Sequence, residues 1–440
     1  MTIPPRGYLL AASGLFLALA TFVPETPSWL AAAPITRQAG EPQTVGPDRY
    51  LGSFRVPEDD GSNRSAKAPK YSYSYGGRLA AADGKRFWLA THARHRLVGQ
   101  ISIPPPVQPT SPTAFDELRV AKNLKPAVDI TDGLRAKSVQ GTKRPMVLGD
   151  AIAYKNRLHW VFHDYYNVSQ TKYRVLGAFD PQTGIADGPF GLIDAARQPI
   201  RDQLSGRYLA RVPANWSKQV EGAFVCGGGG LPGQAEVGAG PSLYSFNPPA
   251  SGADPYQTYA TTQPLLLYPF DDNQPKASRR SLAGWNRASR PFDVVWIKDS
   301  VVFAVRFGRG KIWYGAHDQG PGGATDWFIT DKSYHAQWYE LQFLFYDAND
   351  IAAVARGEKQ PHQPQPYARI PIPHLMGDDP GRAQVSPISL SWDSQTERLY
   401  LVQCLADHSR GKFARHPVVH VYDLKDTKSI RAWAERLANP

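Results

Sequence analysis

The chain has 440 residues, 42% of them hydrophobic, with 39 prolines, 38 glycines, two cysteines and a formal net charge of +11. This composition excludes a disordered chain and a cysteine-rich scaffold, and it suits a globular body of short strands and many turns. Basic residues are mixed with acids and form no long run, so nucleic acid is not an expected partner, whereas acidic glycans or envelope polymers are.

The chain opens with Arg6 and an uncharged, largely apolar run from Tyr8 to Val23, with the first acid at Glu25. A basic residue, a short apolar stretch and nearby small residues predict a secretory signal. Cleavage is expected after Ala20, with Ala33 as the other small-residue position. A retained N-terminal anchor is the alternative, and no later segment is apolar enough to cross a membrane as a helix. The expected organisation is residues 1–33 as signal or anchor, 34–49 as a flexible lead-in, 50–426 as the folded body and 427–440 as a tail with a short helix. Export sets the expected location as secreted or extracytoplasmic.

From Tyr50 onward, short β-type runs alternate with turn residues, and only Asn349–Arg356 and Ile430–Leu437 read as helices. A coarse repeat emerges. Its units begin with Tyr73–Gly77, Gly149–Tyr154, Val220–Val225, Phe292–Ile297 and Pro387–Trp392, and each continues into a hairpin and further strands. The openings near residues 75, 150, 221, 293 and 386 are 75, 71, 72 and 93 residues apart. Regular spacing of small sheets predicts an all-β, five-bladed β-propeller with long inter-strand loops. The run Tyr50–Val56 lacks an opening strand of its own, so it is expected to complete the fifth sheet and close the ring. A multi-sheet sandwich is the competing architecture.

The repeat places Asp150, Glu221 and Asp293 at comparable openings of three successive units. Three acids converging on one channel can divide the work of glycoside cleavage, which needs a proton donor, a base or nucleophile and a carboxylate that tunes them. This placement resembles that in five-bladed propeller glycosidases, at the level of fold and position rather than of a sequence motif. The resemblance implies Glu221 as proton donor, Asp150 as base or nucleophile and Asp293 as the tuning residue. Polar strand ends that simply bind backbone amides are the alternative reading.

Tyr75, Trp216, Trp296, His317 and Trp338 are the candidate ligand-binding residues, since aromatic rings provide platforms for sugars or peptides. Histidines at 92, 95, 159, 163, 317 and 335 lie beside strands, but none has a spacing specific to metal ligation. No cofactor is predicted, although a divalent metal remains compatible with residues meeting from several loops. The glycine run Gly227–Gly230 lacks the lysine and hydroxyl of a phosphate loop and reads as an irregular turn. Cys226 and Cys404 are read either as a long-range disulfide or as two buried thiols. The sequence therefore favours an exported propeller that binds a glycan or another envelope or extracellular ligand at the channel face. A glycoside hydrolase using the channel acids and a metal-dependent hydrolase are the alternatives.

Overall fold

The computed structural model describes residues 48–438, apart from 63–70, 94–96, 135–145, 165–173, 230–237, 256, 270–280, 316–333, 378–383, 385 and 412–413. The expected signal or anchor and most of the lead-in lie outside these residues. Among the described residues no helix is long and apolar enough to cross a membrane.

The body is all-β, with four short α-helices among the described residues. Its strands fall into five groups along the chain. The first holds β2 (Ala80–Asp83), β3 (Arg86–Ala90), β4 (Val98–Ser102) and β5 (Asn123–Val128). The second holds β6 (Val147–Tyr154), β7 (Arg157–His163), β8 (Arg174–Phe179) and β9 (Ala186–Ile193). The third comprises β10 (Tyr208–Arg211), β11 (Phe224–Gly227), β12 (Leu243–Phe246) and β13 (Tyr259–Leu266). The fourth comprises β14 (Arg290–Ile297), β15 (Ser300–Tyr314), β16 (Tyr334–Asp347) and β17 (Ala368–Pro371). In the fifth, β18 (Ile388–Asp393), β19 (Arg398–Asp407) and β20 (His416–Asp423) are joined by β1 (Tyr50–Arg55).

Within each group the strands pair antiparallel in the order they are met. The parallel pair β9–β13 additionally joins the second and third groups into one eight-stranded sheet. β1 pairs with β20, Phe54 opposite Val419, so the beginning and end of the body share one sheet, as expected for Tyr50–Val56. That pairing covers the edge that β20 would otherwise expose.

The groups stack face to face, which explains why their strands are apolar on both sides. The core divides into clusters that each lie between two neighbours. Trp88 and Ala81 meet Trp160 and Phe162 between the first and second groups, and Leu176 and Phe190 meet Leu209 and Phe224 between the second and third. Tyr208 and Val225 meet Val294 and Phe303 between the third and fourth. Val295 and Phe343 meet Leu390 and Leu401 next, and Tyr400 and Val402 return to Phe87 and Leu89 of the first group. The leading strands follow the same cycle: β2 lies against β6, β6 against β10, β10 against β14, β14 against β18 and β18 against β2.

Turn chemistry sets the hairpins. Lys155 and Asn156 both adopt positive φ, at 49° and 62°, the conformation that joins two twisted strands with a two-residue turn. The helix expected at residues 349–356 is α3 (Ala348–Ala355), capped by the Asp347 side chain on the Asn349 N–H. It follows α1 (Asp202–Ser205) and α2 (Ala214–Ser217). The C-terminal α4 (Ile430–Ala438) packs into the core, with Trp433 fully buried against Phe343, Phe345 and Tyr422.

Two units of the expected repeat are out of phase. The leading strand of the first group is β2 rather than Tyr73–Gly77, where Tyr75 has a positive φ of 56° that ends any strand. In the third group the leading strand is β10, and the run read as an opening, Val220–Val225, instead spans the connection into β11. β10 has only four residues, too short to announce itself by periodicity.

Candidate functional site

Asp150 and Asp293 are each the fourth residue of their leading strand, in β6 and β14. In both strands the register against the neighbouring strand shifts just before the acid, between Leu148 and Asp150 and between Pro291 and Asp293. A bulge re-aims the following side chain, and here it does so twice in the same way. Asp150 Oδ1 accepts the Ala151 N–H at 2.7 Å, and its Oδ2 accepts the N–H of Leu209 in β10 at 3.0 Å. Asp293 Oδ1 accepts the Val294 N–H at 2.7 Å, and its Oδ2 accepts the N–H of Leu390 in β18 at 2.7 Å. Each acid thereby ties its own strand to the leading strand of the next group.

The two carboxyl groups also act on each other electrostatically, although their strands belong to groups separated by a third. Both are fully buried. Loss of hydration raises Asp150 well above the usual carboxylate range, and the Asp293 charge raises it further. Burial likewise pushes Asp293 up to about 8, against the opposing pull of its backbone donors. Burial therefore favours the protonated form of the pair. Both carboxyls spend their oxygens on main-chain N–H groups, an arrangement that ties strands together.

Glu221 does not join them. It is exposed, with a positive φ of 53°, in the turn between α2 and β11, and its carbonyl accepts from Asn247 at 3.2 Å. That connection joins the ends of β10 and β11 remote from where β10 begins, whereas both aspartates sit near the beginnings of their strands. The alignment that grouped the three acids inherited the phase error of the third unit.

The candidate aromatic residues separate equally clearly. Trp296 is 1% exposed and Trp216 7%; their rings pack at 6.2 Å, and the Trp216 indole N–H donates to the Lys298 carbonyl at 2.7 Å. Both are core residues and present no platform. Tyr75 is half-buried and packs on His92 with ring centres 5.5 Å apart. His317 lies outside the described residues, as does His95. Trp338, at 47% exposure, is the candidate ring left open to solvent.

Trp338 stands on an arm. β15 and β16 continue past Arg306, which pairs with the first residue of β14, as far as the pair Tyr314–Tyr334. Eight residues at roughly 3.3 Å each carry this two-stranded extension about 25 Å beyond the end of the sheet from which the leading strands start. A register shift between Arg309 and Ile312 accommodates Gly310 at φ 69°, and a side chain there would meet the Trp338 ring at 2.5 Å. The exposed indole thus rests against bare backbone. The paired run Gly308–Arg309–Gly310 is the local sequence signal of this feature, and it passes unnoticed when the run is read only as a strand.

His163 and His335 are buried, and burial together with Arg157 and Lys155 draws His159 down to about 4. Among the described residues no group of three or more His, Cys, Asp or Glu side chains is arranged to hold a metal ion. Gly227 and Gly228 are packing glycines, since a β-carbon at either would lie within 2.1 Å of a carbonyl oxygen. Cys226 and Cys404 are free, buried thiols, pushed up by burial, rather than a disulfide.

No known protein family and no curated protein matches the chain. Solved structures with a similar path include a glycosyl hydrolase from Bacteroides ovatus, at 10% identity and a TM-score of 0.39, covering 87% of this chain and 93% of that one. A GH43 endo-arabinanase from Bacillus licheniformis aligns at 10% identity and a TM-score of 0.35, covering 78% of this chain and 92% of its own. A GH43_1 enzyme from Xanthomonas citri gives 12% identity and a TM-score of 0.35, with coverages of 79% and 87%. At these scores the similarities carry no argument about activity.

Proposed function

We propose that the chain is an exported five-bladed β-propeller that binds a glycan or a comparable envelope or extracellular ligand at the face where its leading strands begin. The cyclic contact of the five leading strands and the β1–β20 pairing support the blade count. The observation that carries the binding reading is Trp338, an open indole on an arm rising from that face. An aromatic face offers the axial C–H groups of a sugar an apolar contact at little entropic cost. Against the hydrolase reading, Asp150 and Asp293 each accept two backbone N–H groups, which suits a clasp between blades better than an acid and a base in waiting.

Binding of neutral and acidic oligosaccharides, followed by indole fluorescence and calorimetry, tests the reading. Saturable binding that Trp338→Ala weakens supports it; absence of binding to any of them overturns it. Turnover of the same oligosaccharides that disappears in Asp293→Asn would instead support the hydrolase reading, in which the pair opens to admit substrate.

A further inference from the structure

On the flank of the arm that faces the third group, two arginines converge on one buried ring. The guanidinium carbons of Arg309 and Arg369 lie 4.8 and 5.8 Å from the centre of the Phe307 ring. Trp285 closes the same ring edge-on at 5.9 Å. Gly284, at φ 74°, lies close to both guanidiniums. From the place a β-carbon would occupy there, Arg309 Nη1 is 3.3 Å away and Arg369 Nη1 4.0 Å.

Their charges are only partly answered. Glu340 accepts from Arg309 Nε at 2.8 Å and also from Gln342 Nε2 at 3.0 Å. Arg369 Nη1 donates to the Ala283 carbonyl at 2.5 Å, and among the described residues no carboxylate faces it. Among the described residues one carboxylate thus stands against two guanidiniums. Stacked arginines are pre-organised, and the planar fork matches a carboxylate or an ester oxyanion with two parallel hydrogen bonds. Trp338 lies directly across the strand pair from Arg309.

We propose that Arg309 and Arg369 form an anion subsite beside Trp338, and that the saccharide this face takes is acidic, its uronate-type carboxylate held by the guanidiniums while Trp338 covers the neighbouring sugar. The inference rests on the glycan-binding reading given above.

The test uses the full chain and calorimetric titration with oligogalacturonate and with an uncharged galactan oligosaccharide of equal length, at low and high salt. The acidic ligand is expected to bind about tenfold or more tightly than the neutral one, with the preference falling at high salt. Arg369→Gln should remove about tenfold of the acidic affinity and leave the neutral affinity unchanged, while Trp338→Ala should weaken both. Arg369 is half-buried and carries no buried ion pair, so the variant is expected to fold, which its unfolding midpoint checks. Equal affinity for the two ligands, or a preference that survives Arg369→Gln, overturns the anion subsite while leaving glycan binding in place. No binding of either ligand overturns both.

Discussion

Replacing Asp293 by asparagine probes the buried carboxyl pair most directly. The carboxyl accepts two main-chain N–H groups, from Val294 and Leu390, both at 2.7 Å. An amide offers one oxygen and one NH2 group, so it can satisfy one of those donors and must turn its own hydrogens toward the other. Losing a hydrogen bond of this kind in a buried site costs about 1.5–3 kcal/mol. A second effect depends on pH. The unfolded chain releases the Asp293 proton near the ordinary value of 3.8, whereas the folded chain holds it up to about 8. Because the folded value is raised, this contribution to stability is fully present below 3.8 and is lost as pH climbs through about 8. Each proton so held changes stability by about 1.4 kcal/mol per pH unit inside that window. In Asp293→Asn, Asp150 keeps the desolvation that raises it but loses the facing charge, so its own window narrows. Urea unfolding of both proteins at pH 5, 6, 7 and 8 should therefore show the variant's deficit largest at pH 5 and shrinking by up to about 1.4 kcal/mol per pH unit toward pH 8. Comparing the two proteins cancels the titrating groups outside this pair. A deficit that stays constant across this range would refute the raised Asp293 value.

Three further outcomes follow from the packing. Gly177→Ala places a methyl group 2.0 Å from the fully buried Trp160 ring, and chemical denaturation should register a loss of about 1–3 kcal/mol or more. Glu221→Gln should leave unfolding and ligand binding within error of the parent, while Glu221→Gly, which relieves a positive φ, should raise the unfolding midpoint slightly. Cys226 and Cys404 should be inert to a thiol reagent in the native protein and both react after denaturation; if neither reacts without a reductant, the two are joined.

Sequence reasoning succeeds for the second, fourth and fifth groups because their leading strands carry strong local signals. Gly149–Tyr154, Phe292–Ile297 and Pro387–Trp392 are six-residue β-type runs followed by turn residues, and strands at 147–154, 290–297 and 388–393 sit on them. It fails at Tyr73–Gly77 and Val220–Val225, where the true leading strands are only four residues each and an apolar neighbour outcompetes them. That error carried straight into the site, because Glu221 owed its candidacy to the phase of the third unit. Trp216 and Trp296 were beyond reach for another reason. An indole's composition is the same whether it packs between sheets or faces solvent, and only the neighbouring group decides.

By itself, then, the sequence determined what short-range chemistry controls: an all-β body of turn-linked strands, two short helices and an N-terminal strand suited to pair with the last sheet. Tertiary structure alone decided which acids meet. Asp150 and Asp293 are aimed by bulges and held by the N–H groups of β10 and β18, partners supplied by other groups. It also set Arg309 and Arg369 on the two sides of Gly284, residues drawn from β15, β17 and the segment before β14. Burial and the meeting of charges depend on distances between chain segments remote in sequence, and periodicity along one strand contains no information about them.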